Sequence, residues 1–132
     1  MKISVIVTNW NGLSFLKKYF EKTVIASPEA DEIIFADDTS KDDSVAFIKT
    51  LQKKYPRIKI ISHQKNQGFG KNCNNAVKKA IGELVVLLNS DIDPHQGYIT
   101  NCLSHFKDPK VFGVGFSELN HEKYGKIFWK NG

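Results

Sequence analysis

Residues 84–94 read Leu-Val-Val-Leu-Leu-Asn-Ser-Asp-Ile-Asp-Pro: five consecutive apolar side chains that stop abruptly at an amide, a hydroxyl and two carboxylates. A run this short and this uniformly apolar fits a strand buried on both faces, because a half-exposed strand alternates and a core helix needs more length. Strands of that kind belong to mostly parallel sheets covered by helices, so the stretch predicts an α/β fold.

The flanking sequence extends the same pattern in both directions. Upstream, Cys73, Ala76, Val77, Ala80 and Ile81 recur at the spacing of one helical face, with Gly82 expected as the C-cap. The loop Asn66-Gln67-Gly68-Phe69-Gly70 precedes that helix, and Ile58 to Ser62 forms a strand before the loop. Nearer the start, Ile3 to Thr8 is a strand closed by Asn9-Trp10-Asn11-Gly12. A helix follows with Phe15, Leu16, Tyr19, Phe20 and Val24 on one face, ending near Ser27-Pro28. Ile33 to Ala36 is the next strand; the polar loop Asp37 to Asp43 then leads into a helix carrying Val45, Ile48, Leu51 and Tyr55. Downstream of the opening stretch, Pro94 suits the first turn of a fourth helix with Ile99, Cys102, Leu103 and Phe106 inward, and Asp108-Pro109 ends it. Val111 to Phe116 is a fifth strand, and Lys123 to Trp129 is a candidate hairpin arm with no partner assigned. The expected architecture is a mostly parallel sheet with helices on both faces, in a single domain spanning residues 1–132.

Composition agrees with one domain: 132 residues, 41% hydrophobic and 25% charged. No apolar run reaches the length of a bilayer span or a secretory signal, so the chain is expected in the cytoplasm. Cys73 and Cys102 lie far apart at apolar periodic positions, as reduced core thiols do. The net charge of +5 rests almost wholly on lysine, with Arg57 the one arginine. Lysines spread over helix faces, as at Lys17-Lys18 and Lys53-Lys54, make a solvated surface rather than a nucleic-acid footprint. That charge is compatible with a phosphorylated substrate or with peripheral association at the inner face of a cell membrane. His63, His95, His105 and His121 show no metal-ligand spacing.

Sheets of this type bind ligands beyond the carboxyl ends of their strands, and those positions are polar here. Thr8, Asn9, Trp10 and Asn11 follow the first strand, and Asp37 and Asp38 the second. Loop capping accounts for such residues, and so does recognition of a base or a ribose. Asp91 and Asp93, two residues apart where a buried strand emerges, repel each other unless a cation sits near them. A hard divalent ion bridging diphosphate oxygens meets that need; an acidic turn with Asp93 capping the next helix is the plainer alternative.

Four segments together resemble the family 2 glycosyltransferases, inverting enzymes of the GT-A fold. Residues 4–12, SVIVTNWNG, look like the family's opening strand and base-binding turn, and residues 35–44, FADDTSKDDS, resemble its second-strand motif. Residues 66–74, NQGFGKNCN, are similar to its N-x-G-F loop, and residues 87–93, LLNSDID, to its D-x-D motif. The resemblance implies a glycosyltransferase that moves a sugar from a nucleotide-diphosphate sugar to an acceptor hydroxyl on a saccharide or a lipid-linked acceptor. It implies that Thr8 and Trp10 border the nucleobase, that Asp38 accepts from the base with Asp37 supporting the loop, and that Asn66, Gly68 and Lys71 line the nucleotide pocket. Asp91 would lie near the ribose or donor sugar, and Asp93 would hold Mg²⁺ or Mn²⁺ against the diphosphate. Family members usually continue with an acceptor-binding half that carries the catalytic base, so the chain is expected to be the donor-binding part, with the acceptor half absent. Glu118, His121 and Glu122 match no base motif. The rival expectation is a nucleotide-sugar-binding module without turnover. A dinucleotide fold is disfavoured, because no G-x-G-x-x-G follows the first strand.

Overall fold

The computed structural model describes residues 1–117 and 124–129. The chain alternates β1 (Ile3–Asn9), α1 (Leu13–Ala26), β2 (Glu32–Asp37), α2 (Ser44–Lys54), β3 (Ile58–Ser62), α3 (Phe69–Lys79), β4 (Leu84–Asn89) and α4 (Tyr98–Leu103). A short 3₁₀ turn (Ser104–Lys107) and two further strands, β5 (Gly113–Ser117) and β6 (Tyr124–Trp129), follow. The six strands lie in the order β3-β2-β1-β4-β6-β5. The first four are parallel to one another, and β6 runs antiparallel to both β4 and β5. Within the stretch left without a partner by the sequence, Tyr124–Trp129 thus supplies the strand that continues the sheet beyond β4.

The fold follows from alternation along each strand. Val5 and Val7 of β1, Ile33 and Phe35 of β2, and Leu84, Val86 and Leu88 of β4 pack on one side against Leu16, Phe20 and Val24 of α1, Ile48 of α2, and Ile99 and Cys102 of α4. Ile6, Ile34, Ala36 and Val85 point to the other side, where Ala76 of α3 and Ala80 just past it cover them. Helices on one face carry the chain from β1 out to β3, and α3 on the opposite face carries it back past β1 to β4. Because the change of direction goes with a change of face, the two crossings share one hand, as the rule for parallel connections requires, and they leave a reversal of strand order at β1.

Several details depart from the sequence expectation. Phe15, placed on the buried face of α1, is 49% exposed. The fourth helix begins at Tyr98 rather than at Pro94, because Gly97 at φ +83° takes a left-handed turn that sets the helix start four residues later. Asp93 therefore caps no helix. Gly82 is not a C-cap; α3 ends when Ala80 turns extended, and the Gly82 amide instead donates to Ser4 Oγ at 2.8 Å. Ile81, expected on the buried face of α3, is consequently exposed. Both cysteines are buried and free, and burial raises the pKa of each thiol.

Two polar clusters fasten the elements away from the strand ends just described. Arg57 donates from Nη1 to the carbonyls of Ser27 and Ala30, both at 3.0 Å, and from Nη2 to Val24 at 2.6 Å, closing the C-terminus of α1. The one arginine is thereby a structural cap. At the amino end of the sheet, Glu32 accepts from Ser4 Oγ at 2.5 Å and from the Ile81 amide at 2.7 Å, and pairs with Lys59 at 2.6 Å.

Candidate functional site

A pocket of about 780 Å³ opens where β1, β2 and β4 end. Its wall takes Thr8 to Gly12 and Phe15 from the first strand end and the start of α1, and Asp38, Thr39 and Lys41 from the second. Asn66, Gly68, Phe69 and Asn72 come from the loop leading into α3, and Asn89, Ser90 and Asp91 from the fourth strand end. All four polar segments singled out in the sequence meet at this one cavity.

Hydrogen bonds make its floor a single unit. Asp37 is 1% exposed and lies beneath the pocket. Its Oδ1 accepts from Asn9 Nδ2 at 3.0 Å and from Ser40 Oγ at 2.5 Å, and its Oδ2 from the Ser40 amide at 2.8 Å. Ser40 Oγ in turn accepts the Asn11 amide at 2.8 Å, and Asn11 Oδ1 accepts the Lys41 amide at 2.7 Å. Asp42 accepts the amides of Leu13 and Ser44, each at 3.0 Å. Burial pushes the Asp42 carboxyl up, but the Ser44 hydroxyl and these amides outweigh that and hold it below the usual carboxylate range. The first and second strand ends are zipped together side by side. Gly12 fits this seam because a Cβ there would run into Asn9 Oδ1, which has no hydrogen-bond partner among the described residues.

Asp38 ties in the third segment. It is 3% exposed; its Oδ1 accepts the Gln67 amide and its Oδ2 the Gly68 amide, both at 2.8 Å. Gly68 at φ +83° can present that amide where a side chain would strain the backbone. Behind it, Asn72 is 2% exposed, donates from Nδ2 to the Ala36 carbonyl at 2.9 Å and sets Oδ1 3.1 Å from His63 Nε2. Thr8 Oγ1 reaches the Leu88 carbonyl at 3.5 Å, joining the first strand end to the fourth.

Of the residues proposed from sequence, Thr8, Trp10, Asp38, Asn66, Gly68 and Asp91 line the pocket, and Asp37 underlies it. Lys71 is exposed on the first turn of α3 and is not part of the wall; the lysine there is Lys41. Asp93 also lies outside the wall, its carboxylate 2.7 Å from Lys22 Nζ of α1. Glu118, His121 and Glu122 fall outside the described residues. Sequence reading missed Phe15, Lys41 and Asn72. Asn72 had a signal, since it precedes Ala76 by one helical turn on the buried face; Phe15 had none, because exposed and core aromatics share the same periodic position. Among the described residues no three or more His, Cys, Asp or Glu side chains converge on a metal-sized site, and no helix is long and apolar enough to cross a membrane.

Comparison with known proteins gives a consistent result. The family model for glycosyl transferase family 2 matches residues 4–129. The chain is 34% identical over 127 residues to a GalNAc(5)-diNAcBac-PP-undecaprenol beta-1,3-glucosyltransferase of Campylobacter jejuni, covering 96% of this chain and 40% of that protein. It is 37% identical over 118 residues to an uncharacterized glycosyltransferase of Nostoc sp., covering 86% and 35%. Among solved structures, the mannosyltransferase PcManGT from Pyrobaculum calidifontis in complex with GDP-Man and Mn²⁺ superposes with a TM-score of 0.84 at 17% identity, covering 97% of this chain and 44% of that one. S. aureus TarS 1-349 in complex with UDP-GlcNAc does so with a TM-score of 0.73 at 21% identity, covering 98% and 46%. The chain thus spans between 35% and 46% of the length of each of these chains.

Proposed function

The chain belongs to glycosyl transferase family 2, and from that premise we propose that it forms the donor-binding part of an inverting glycosyltransferase using a nucleotide-diphosphate sugar. The observation that carries this reading is the convergence of four separate strand-end segments on one pocket, at the reversal of strand order where parallel sheets bind nucleotides.

In this reading the nucleobase lies at the β1 and β2 end, beside Thr8 and over the exposed Trp10 ring, with Asp38 and the Asn66–Gly68 loop as its polar edge. A carboxylate has about four acceptor positions, so Asp38 can hold two loop amides and still take a base N–H. The diphosphate lies toward the β4 end. There the geometry favours Asp91 over Asp93 as the carboxylate for a divalent cation: Asp91 is in the wall, while Asp93 is paired with Lys22 outside it. One carboxylate beside an incoming diphosphate suits Mg²⁺ or Mn²⁺, which take most of their remaining ligands from phosphates and water. Bound there, the cation would supply charge neutralisation for the departing nucleoside diphosphate. Lys71, exposed on the first turn of α3 and outside the wall, has no assigned contact with the donor in this reading.

Both pocket carboxylates serve the donor in this reading, so the acceptor's proton goes to a group outside the pocket. The acceptor is a saccharide or a lipid-linked acceptor hydroxyl, and the excess of lysine suits work at the cytoplasmic face of a membrane. A thermal-shift panel of UDP-, dTDP- and GDP-sugars with and without Mn²⁺ tests the reading, because a ligand of the native state raises the midpoint by mass action. A rise confined to one nucleotide class and dependent on the cation supports it; no rise with any of them removes it.

A further inference from the structure

Thr39 holds a left-handed backbone at φ +66°. Glycine adopts this conformation freely; a β-branched residue keeps it only where its neighbours over-determine it. The residue is half-buried in the pocket wall, between the two most constrained points of its loop. On one side Asp38 is fixed by the Gln67 and Gly68 amides. On the other, the Ser40 amide and hydroxyl are fixed on Asp37. Thr39 has one anchor of its own, Oγ1 donating to the His63 carbonyl at 3.0 Å, just past β3. His63 is tied back by its amide to the Asp37 carbonyl at 3.3 Å.

We propose that Thr39 is a positioning residue for the nucleobase end of the pocket, its hydroxyl tether holding a strained wall in the shape that decides which base is admitted. The inference rests on the donor-site reading and adds the determinant of base choice. Thr39 lies on the β2 and β3 side, away from Asp91, so it acts on the base and leaves cation binding alone. Glycine would relax the backbone but release the wall from β3. Serine would keep the hydroxyl while removing the branching methyl.

Thr39→Gly and Thr39→Ser are compared with the unaltered chain by calorimetry against UDP, dTDP, GDP and ADP in Mn²⁺, and by amide hydrogen exchange without ligand. In Thr39→Ser the ranking of the four nucleotides is retained, with affinities within about threefold. In Thr39→Gly the ratio between the best and worst nucleotide contracts by roughly tenfold, about what the loss of one orienting hydrogen bond produces. Exchange at the His63 and Ser40 amides quickens in Thr39→Gly and not in Thr39→Ser. A Thr39→Gly variant that keeps the original ranking and spread, or that keeps full protection at both amides, overturns the proposal. If the unaltered chain binds none of the nucleotides, the donor-site reading fails instead, and with it base selection by Thr39; the exchange measurement then decides the tether by itself.

Discussion

Asp38 closes onto the backbone of Gly68, its Oδ2 accepting the Gly68 amide at 2.8 Å while its other oxygen takes the adjacent Gln67 amide at the same distance. Two motifs that the sequence presents as independent are therefore one structural unit, and a side chain read as a ligand contact is also the clamp that shapes its own pocket.

Removing that clamp in Asp38→Ala takes the acceptor from the Gln67 amide and leaves the Gly68 amide with only Asn66 Oδ1 at 3.1 Å. Nucleotide affinity is expected to fall by about 10- to 100-fold, corresponding to roughly 1–3 kcal/mol for the lost acceptor. Calorimetry measures the loss, and hydrogen exchange at Gln67 and Gly68 reports whether the loop has loosened. A drop smaller than about threefold would mean that the loop keeps its shape without the carboxylate and that no base N–H depends on it.

The two aspartates after β4 are expected to separate cleanly. Asp91→Asn should remove the dependence of nucleoside diphosphate binding on Mn²⁺, since the amide retains shape but loses the charge that holds a cation. Asp93→Asn should leave that dependence within about fivefold, because an exposed ion pair such as Lys22–Asp93 contributes at most about 1 kcal/mol. Titration of Mn²⁺ into each variant with UDP or GDP present decides it, and the opposite result would return the cation to Asp93.

Trp10 is 63% exposed and lines the pocket. A base stacking on its ring should quench its emission on nucleotide addition, and Trp10→Phe should abolish the change while weakening binding by about 1 kcal/mol or less. Quenching that persists in Trp10→Phe would place the base elsewhere.

Glu32 predicts a pH effect unrelated to the site. Burial pushes its carboxyl up, but the Lys59 ammonium, the Ser4 hydroxyl and the Ile81 amide together outweigh burial and hold it below its ordinary value. A depressed folded-state value means stabilisation that is present above the unfolded glutamate range of about 4.3 and lost as pH falls through the folded value. The melting midpoint of the unaltered chain should exceed that of Glu32→Gln at pH 7, and the gap should close below about pH 4. A gap that stays constant across that range would show that the carboxylate's charge plays no part.

The sequence by itself determined the strands, the face-alternating core and the ends at which chemistry had to occur. These depend on local hydrophobic runs such as Leu84–Leu88 and on helical spacing such as Ala76 to Ala80, and both are periodicities of the chain itself. Tertiary structure decided which polar residues meet. Asp91 enters the pocket and Asp93 turns to Lys22 because the loop after β4 stays open until Gly97, a turn whose extent no local pattern announces. Phe15 faces the pocket rather than the core, and Asn72 fills the gap between Ala36 and His63, because α1 and α3 are oriented by contacts with strands far away in sequence. Thr39 holds its left-handed turn only because residues 37, 38 and 63 surround it at once. Period and composition select the elements, but the partners of a buried polar group are set by long-range packing, and there the chemistry of this pocket was decided.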